Sequence, residues 1–386
     1  MARLAEVRKF LVVYCVALGI TSVSCRRQHP LAPYTAYVVN HESATLAAVN
    51  LRDFRVTAAL PVPPQPEHVL VRPGSRQLYV VSGTGKITIA AFPQLRVIAA
   101  VDVGRSAAGF TFSPDGRAAY ALDPADHEVV FLDCAGAGAS SHGGTAKVAG
   151  RLHLAGTPSG LALTPDGKTL VAAAQNPNQL TFISTETRQS LGSVEVGQSP
   201  GAMAILPDNS KVFVADTGEE KISAAAIPRR ELLSHIEIGS RPTALLLKPD
   251  GGEIFAIAAQ ASTMVIMDAF HDNVEQTFPL GTNPVAGVFR PDMTVLYIAN
   301  AGDGSVLAMD PQNREVLAST HVGMEPVALA LTPDGRLLVV ADRAGSSLAI
   351  LHADPASLSK DLTVMITTVP VGAAPVDVVV PDEVHP

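Results

Sequence analysis

Short apolar runs, each about four to six residues long and set off by Gly, Pro, Asp and Asn, follow one another through most of the chain. No segment of this region carries the 3.6-residue apolar stripe of a long amphipathic helix, so the pattern predicts strands. In the unit that opens at Pro284 the runs are Val285 to Phe289, Val295 to Ala299, Ser305 to Met309 and Val316 to His321. Pro291-Asp292, Asn300-Ala-Gly-Asp-Gly304 and Asp310-Pro-Gln-Asn313 separate them and suit tight hairpins, because Pro presets φ while Gly and Asn tolerate positive φ. Four antiparallel strands therefore fit one unit.

The unit recurs. Pro114-Asp115-Gly116, Pro165-Asp166-Gly167, Pro207-Asp208-Asn209, Pro249-Asp250-Gly251, Pro291-Asp292-Met293 and Pro333-Asp334-Gly335 mark the same turn, with Pro73-Gly74 and Pro381-Asp382 as degenerate ends. Successive prolines lie 41, 51, 42, 42, 42, 42 and 48 residues apart. Each unit closes on a glycine: Gly104, Gly156, Gly197, Gly239, Gly281, Gly323 or Gly372. Tandem four-stranded units of this length predict an all-β fold, a β-propeller. Seven units are complete between Pro66 and Gly372, while Tyr37 to Val62 supplies three strands and Val376 to Val380 one. Together these pieces make an eighth blade closed by the two chain ends, with a seven-bladed ring as the alternative.

The runs Ala36-Tyr37-Val38-Val39-Asn40, Leu78-Tyr79-Val80-Val81, Val212-Phe213-Val214-Ala215-Asp216, Leu296-Tyr297-Ile298-Ala299-Asn300 and Leu338-Val339-Val340-Ala341-Asp342 resemble the Tyr-Val-Thr-Asn motif. From Thr35 to Asp382 the chain resembles the YVTN family of β-propeller repeat proteins, which implies the fold more strongly than any activity. The WD40 family is excluded by the absence of Trp.

Composition adds a compartment and removes one class of partner. A net charge of -8 leaves no basic footprint for nucleic acid. Arg3, Arg8 and Lys9 precede the apolar stretch Phe10 to Ile20, the order of a secretory signal. That stretch is 11 residues long, short of the about 20 that a spanning helix needs. Ser22-Val23-Ser24-Cys25 then resembles a bacterial lipobox, with Ser22 where an aliphatic residue is usual. The expected organisation is a signal peptide over residues 1–25, a linker over 26–34, one propeller over 35–382 and a tail over 383–386. Lipidation at Cys25 would tether the protein to a membrane. Cys134 is the one cysteine inside the predicted fold, so no internal disulfide is expected there.

Candidate binding residues lie on one face. Loops that lead from a fourth strand to the next first strand share a face with the second hairpins, and the Pro-Asp-Gly turns lie opposite. The loop face displays varied polar groups, with Arg105, Arg241, Asn283 and Glu325 near the expected channel mouth. The second residue after the repeat proline is Gly160, Ala202, Ala244, Ala286 or Ala328 in most units, but His68 and Asp377 in the two that meet at the ring seam. These six residues form the candidate ligand-binding set, and a His beside a carboxylate could supply acid-base chemistry, part of a metal site or a structural bond. The register admits two readings: counting from Pro375 sets Asp377 beside His68, and counting back from Pro381 sets Val376 there. Two insertions, Ala135 to Gly150 and Ala353 to Lys360, fall between third and fourth strands.

Gly83-Thr84-Gly85-Lys86-Ile87 lacks the Ser or Thr of a phosphate loop and reads as a hairpin. No zinc-type spacing of His and Cys is present, and no cofactor is expected. The leading expectation is an exported, lipid-anchored binding or scaffold protein whose loop face meets an envelope protein or glycan, without enzymatic activity. A lactonase-like enzyme acting on a small sugar-acid lactone is the alternative. A third option is an accessory protein of periplasmic redox metabolism, although no Cys-x-x-Cys-His is present to hold haem covalently.

Overall fold

The computed structural model describes residues 34–135, 146–353 and 365–382. The expected signal peptide, Cys25, most of the linker and the residue 383–386 tail lie outside them. Strands numbered β1 to β32 in chain order build eight four-stranded antiparallel sheets, the blades of an eight-bladed β-propeller. Blade 1 joins β1 (Thr35–Asn40), β2 (Thr45–Asn50) and β3 (Arg55–Pro61) to β32 (Pro375–Val379), the last strand of the fold. Blade 2 is β4 to β7 (66–102), blade 3 β8 to β11 (108–153), blade 4 β12 to β15 (157–195) and blade 5 β16 to β19 (200–237). Blade 6 is β20 to β23 (244–279), blade 7 β24 to β27 (284–321) and blade 8 β28 to β31 (326–370). Eight blades closed by both ends is thus the observed arrangement, and the seven-bladed alternative is excluded. The described fourth strand of blade 8 begins at Met365, and that of blade 3 begins at Lys147, inside the stretch expected as the first insertion.

The apolar runs are continuous because each blade is buried on both faces. Strand alternation sends Leu78 and Val80 toward Tyr37, Val39 and Leu46 of blade 1, while Tyr79 and Val81 pack with Ala119, Ala121 and Val130 of blade 3. The core is therefore a series of layers between blades. The outer margin of every blade is kinked. In every blade the pairing of third and fourth strands shifts register by a bulge, as between Ala308 and Met309 of blade 7. A bulged outer edge is a poor template for a further strand.

The Asp of the repeated turn has a local cause. Asp115 Oδ1 accepts the Ser113 hydroxyl at 2.6 Å and the Arg117 N–H at 3.0 Å, and Asp166 and Asp334 repeat this with Thr164, Lys168, Thr332 and Arg336. The next residue is held at positive φ, +65° at Gly116 and Gly335 but also +61° at Asn209 and +58° at Met293. Where an Arg precedes the turn it reaches across to the next blade. Arg72, buried, donates to the carbonyls of Gly116 and Cys134, each at 2.7 Å, and Arg290 likewise reaches those of Gly335 and Ala353.

Candidate functional site

His68 and Asp377 meet at the seam between blades 2 and 1. Each inner strand bulges just after its proline: Pro66 pairs with Ser82 and His68 with Val81, while Pro375 pairs with Asn40 and Asp377 with Val39. Glu67 and Val376 are the extra residues, so His68 and Asp377 occupy equivalent positions. The register counted from Pro375 is correct, and the count back from Pro381 is overturned. The Nδ1 of His68 lies 3.5 Å from Asp377 Oδ2, a distance for charge attraction and too long for a strong hydrogen bond.

Asp377 is occupied by more than His68. Its Oδ2 accepts the Val69 N–H at 3.0 Å and its Oδ1 accepts the Val378 N–H at 2.8 Å. The carboxylate thus caps an inner-edge amide of the neighbouring blade and fixes the imidazole beside it. Asp377 in turn raises the pKa of His68 above the ordinary imidazole value, against the opposing effect of burial. The imidazole is half exposed, at 49% of its free side-chain area, so the ring can be reached from solvent. Nearby, His41 Nδ1 lies 3.1 Å from the Pro66 carbonyl and ties the first hairpin of blade 1 to the same seam.

The other four candidate residues do not converge on this pair. Arg105 pairs with Asp126 through Nε at 2.6 Å, and Glu325 pairs with Arg343 at 3.1 Å, each linking a loop to the hairpin beside it. Arg241 is exposed, and Asn283, also exposed, adopts a φ of +52° just before Pro284. They form separate polar groups on successive loops.

A recurring device beneath these loops was visible in the sequence only as two unconnected marks. The second strand of most blades ends on a buried polar side chain: Asn40, Ser82, Asp123, Asp216, Asn300 or Asp342. The glycine that closes the preceding unit packs against it. A Cβ on Gly104, Gly197, Gly281, Gly323 or Gly372 would overlap Asp123, Asp216, Asn300, Asp342 or Asn40 respectively. In blade 3, Asp123 then accepts the Arg105 and Ser106 amides, both at 3.1 Å, and in blade 8 Asp342 accepts those of Met324 at 3.0 Å and Glu325 at 2.7 Å. The glycines and the Asn or Asp of the repeat are two halves of one loop anchor.

The turn face, which carries the repeated Pro-Asp-Gly turns, holds a cleft of about 380 Å³ lined by Lys248, Asp250, Asp292, Met293, Thr294, Asp310, Gln312 and Asn313. Its acids are engaged locally. Asp292 bonds to Arg290 and Thr294, whose donors hold its pKa down at about 2, and Asp310 accepts the amides of Gln312 and Asn313. Burial raises the pKa of the Cys134 thiol and keeps it from being a ready nucleophile. Among the described residues, no group of three His, Cys, Asp or Glu is arranged to hold a metal ion.

These features define an eight-bladed propeller with a polar loop face and an ion pair at its seam. Solved structures share the fold at low identity. Dihydro-heme d1 dehydrogenase NirN is similar with a TM-score of 0.70 and 16% identity over 89% of this chain and 74% of that one. AztD from Citrobacter koseri gives a TM-score of 0.70 at 11% identity, covering 90% and 98%. The periplasmic gluconolactonase PpgL of Pseudomonas aeruginosa gives 0.60 at 18%, covering 92% and 100%. No protein-family model and no curated protein matches the sequence.

Proposed function

We propose that the chain is an exported propeller that binds a protein or glycan of the cell envelope through its loop face, with His68 as the central contact. The observation that carries this reading is the occupancy of Asp377. With Val69, Val378 and His68 around it, the carboxylate holds an imidazole in place and supports its positive charge, a recognition arrangement for an anionic or hydrogen-bond-accepting group. Export rests on the charged and apolar leader of the sequence, and the periplasmic location of the gluconolactonase with the same fold is consistent with it.

The test is capture of partners from envelope extracts by wild-type protein, His68→Ala, Asp377→Ala and the turn-face control Arg117→Ala. A partner lost only with the first two supports the reading, and one retained by all of them overturns it.

A second reading is hydrolysis of a sugar lactone. It is favoured by the use of His68 Nδ1 toward Asp377, which leaves Nε2 as an acid-base group, and by the fold shared with a gluconolactonase. Lactone hydrolysis abolished by His68→Ala would establish it. Equal rates with and without the protein would end it.

A further inference from the structure

Blade 5 departs from the loop anchor described above. Its polar residue, Asp216 at the end of β17 (Lys211–Asp216), is fully buried, but the two loop amides equivalent to those held by Asp123 are taken elsewhere. The Gln198 N–H goes to Glu219 Oε1 at 2.9 Å and the Ser199 N–H to Asn178 Oδ1 of blade 4 at 3.2 Å. Asp216 Oδ1 has no hydrogen-bond partner among the described residues. Its Oδ2 instead lies 2.7 Å from the Ser223 hydroxyl, which is 2.9 Å from Nδ1 of the exposed His235 and accepts the Gly197 N–H at 3.1 Å.

We infer that Asp216, Ser223 and His235 form a proton-linked latch: the protonated carboxyl keeps loop 197–199 closed, and its ionisation releases that loop through Glu219. The inference is independent of what the loop face binds. Ser223 has one hydroxyl hydrogen and two acceptors. With Asp216 protonated, the carboxyl donates to Ser223 Oγ and the hydroxyl donates to His235 Nδ1, so the imidazole carries its proton on Nε2. On ionisation the carboxyl proton passes to Ser223 Oγ, the hydroxyl proton passes to His235 Nδ1, and Nε2 releases its proton to water. One proton leaves, and a buried acid gains an outlet that it otherwise lacks.

The consequence falls on Glu219. A Cβ on Gly197 would overlap both Asp216 Oδ2 and Glu219 Oε1, so the two acids share one niche. Burial, assisted by Glu219, pushes the Asp216 pKa up to about 7, while Ser223, the Gly197 amide and Lys221 act in the opposite direction. Lys221, on β18 (Lys221–Ala226), pairs with Glu219 at 3.5 Å and with Glu237 at 3.3 Å. Glu237 lies with His235 on β19 (Glu231–Glu237), and Asn178 is the facing group from blade 4. A second anion in this niche displaces Glu219 and frees the Gln198 amide.

The experiment is NMR hydrogen exchange on the full chain, with intrinsic rates divided out, comparing protection at about pH 5.5 and about pH 8.5. Gln198 is expected to lose about tenfold or more of its protection at the higher pH, while Arg105 and Ser106, held by Asp123, keep theirs. Asp216→Asn supplies the residue type that blades 1 and 7 carry at this position, and should make Gln198 protection independent of pH. Glu219→Gln, a change near the surface, should do the same if the first variant folds poorly. Wild-type protection that does not change with pH, or a loss that persists in a folded variant, overturns the latch.

Discussion

Asp377 accepts the main-chain N–H of Val69 at 3.0 Å, across 308 positions of sequence. The last strand therefore does two things at once: it completes blade 1 beside β1, and its side chain stitches that blade to the next. Deleting residues 375–386 should strip the inner edge of β1 and lower the melting temperature sharply. Asp377→Ala, which leaves the strand but orphans the Val69 amide, should cost about 1 to 3 kcal/mol. Calorimetry of both variants checks this, and an unchanged melt for the deletion would remove β32 from the closure.

The His68–Asp377 pair should show a defined pH dependence. Because the folded-state pKa of His68 is raised, its contribution is fully present below the ordinary imidazole value and is lost as pH rises through the raised one. For a half-exposed pair the coupling should be about 1 kcal/mol or less. A double-mutant cycle of His68→Ala and Asp377→Asn, read at mildly acid and at alkaline pH, should find the coupling only in the first. Equal coupling at both would mean that charge plays no part.

Gly323 should resist even a methyl group. Its φ is not in the left-handed region, so the obstacle is the carboxylate of Asp342 packed against its Cα. Gly323→Ala should destabilise by about 1 to 3 kcal/mol through overpacking. The double variant Gly323→Ala with Asp342→Gly should recover space without restoring the anchors for the Met324 and Glu325 amides. Chemical denaturation separates the two, because a steric origin requires the second change to return part of the first loss.

Met293 stands where sister turns have glycine, at a φ of +58°. A left-handed non-glycine residue costs about 1 to 2 kcal/mol, partly offset because glycine loses more backbone entropy on folding. Met293→Gly should raise the melting temperature by about 1 to 3 °C. The same change at Leu296, which is buried within a strand, should lower it.

Much of this architecture was legible in the sequence because its causes are local. Alternation in a strand buried on both faces gives runs such as Leu78 to Val81, and turns that need positive φ collect Gly and Asn at a fixed interval. The ring seam was legible for the same reason, since His68 and Asp377 interrupt a series of small residues. Its register was not, because the bulges at Glu67 and Val376 each insert a residue that no local rule announces. The contacts of Arg72 with the Gly116 and Cys134 carbonyls and of Gly323 with Asp342 were hidden because they depend on how one blade or loop leans on another. The state of Asp216 was further from view still. Asp123 and Asp342 carry the same side chain in the same repeat position, and it is the destination of two loop amides and the contact with Ser223 that set Asp216 apart.

Completion of blade 1 by β32 also has a bearing on synthesis. Translation delivers β1, β2 and β3 first and their missing partner last, so seven sheets can assemble while the first stands open on its inner side. Until the final residues join it, the first sheet keeps a free hydrogen-bonding margin, and a chain cut short before Pro375 would remain in that form.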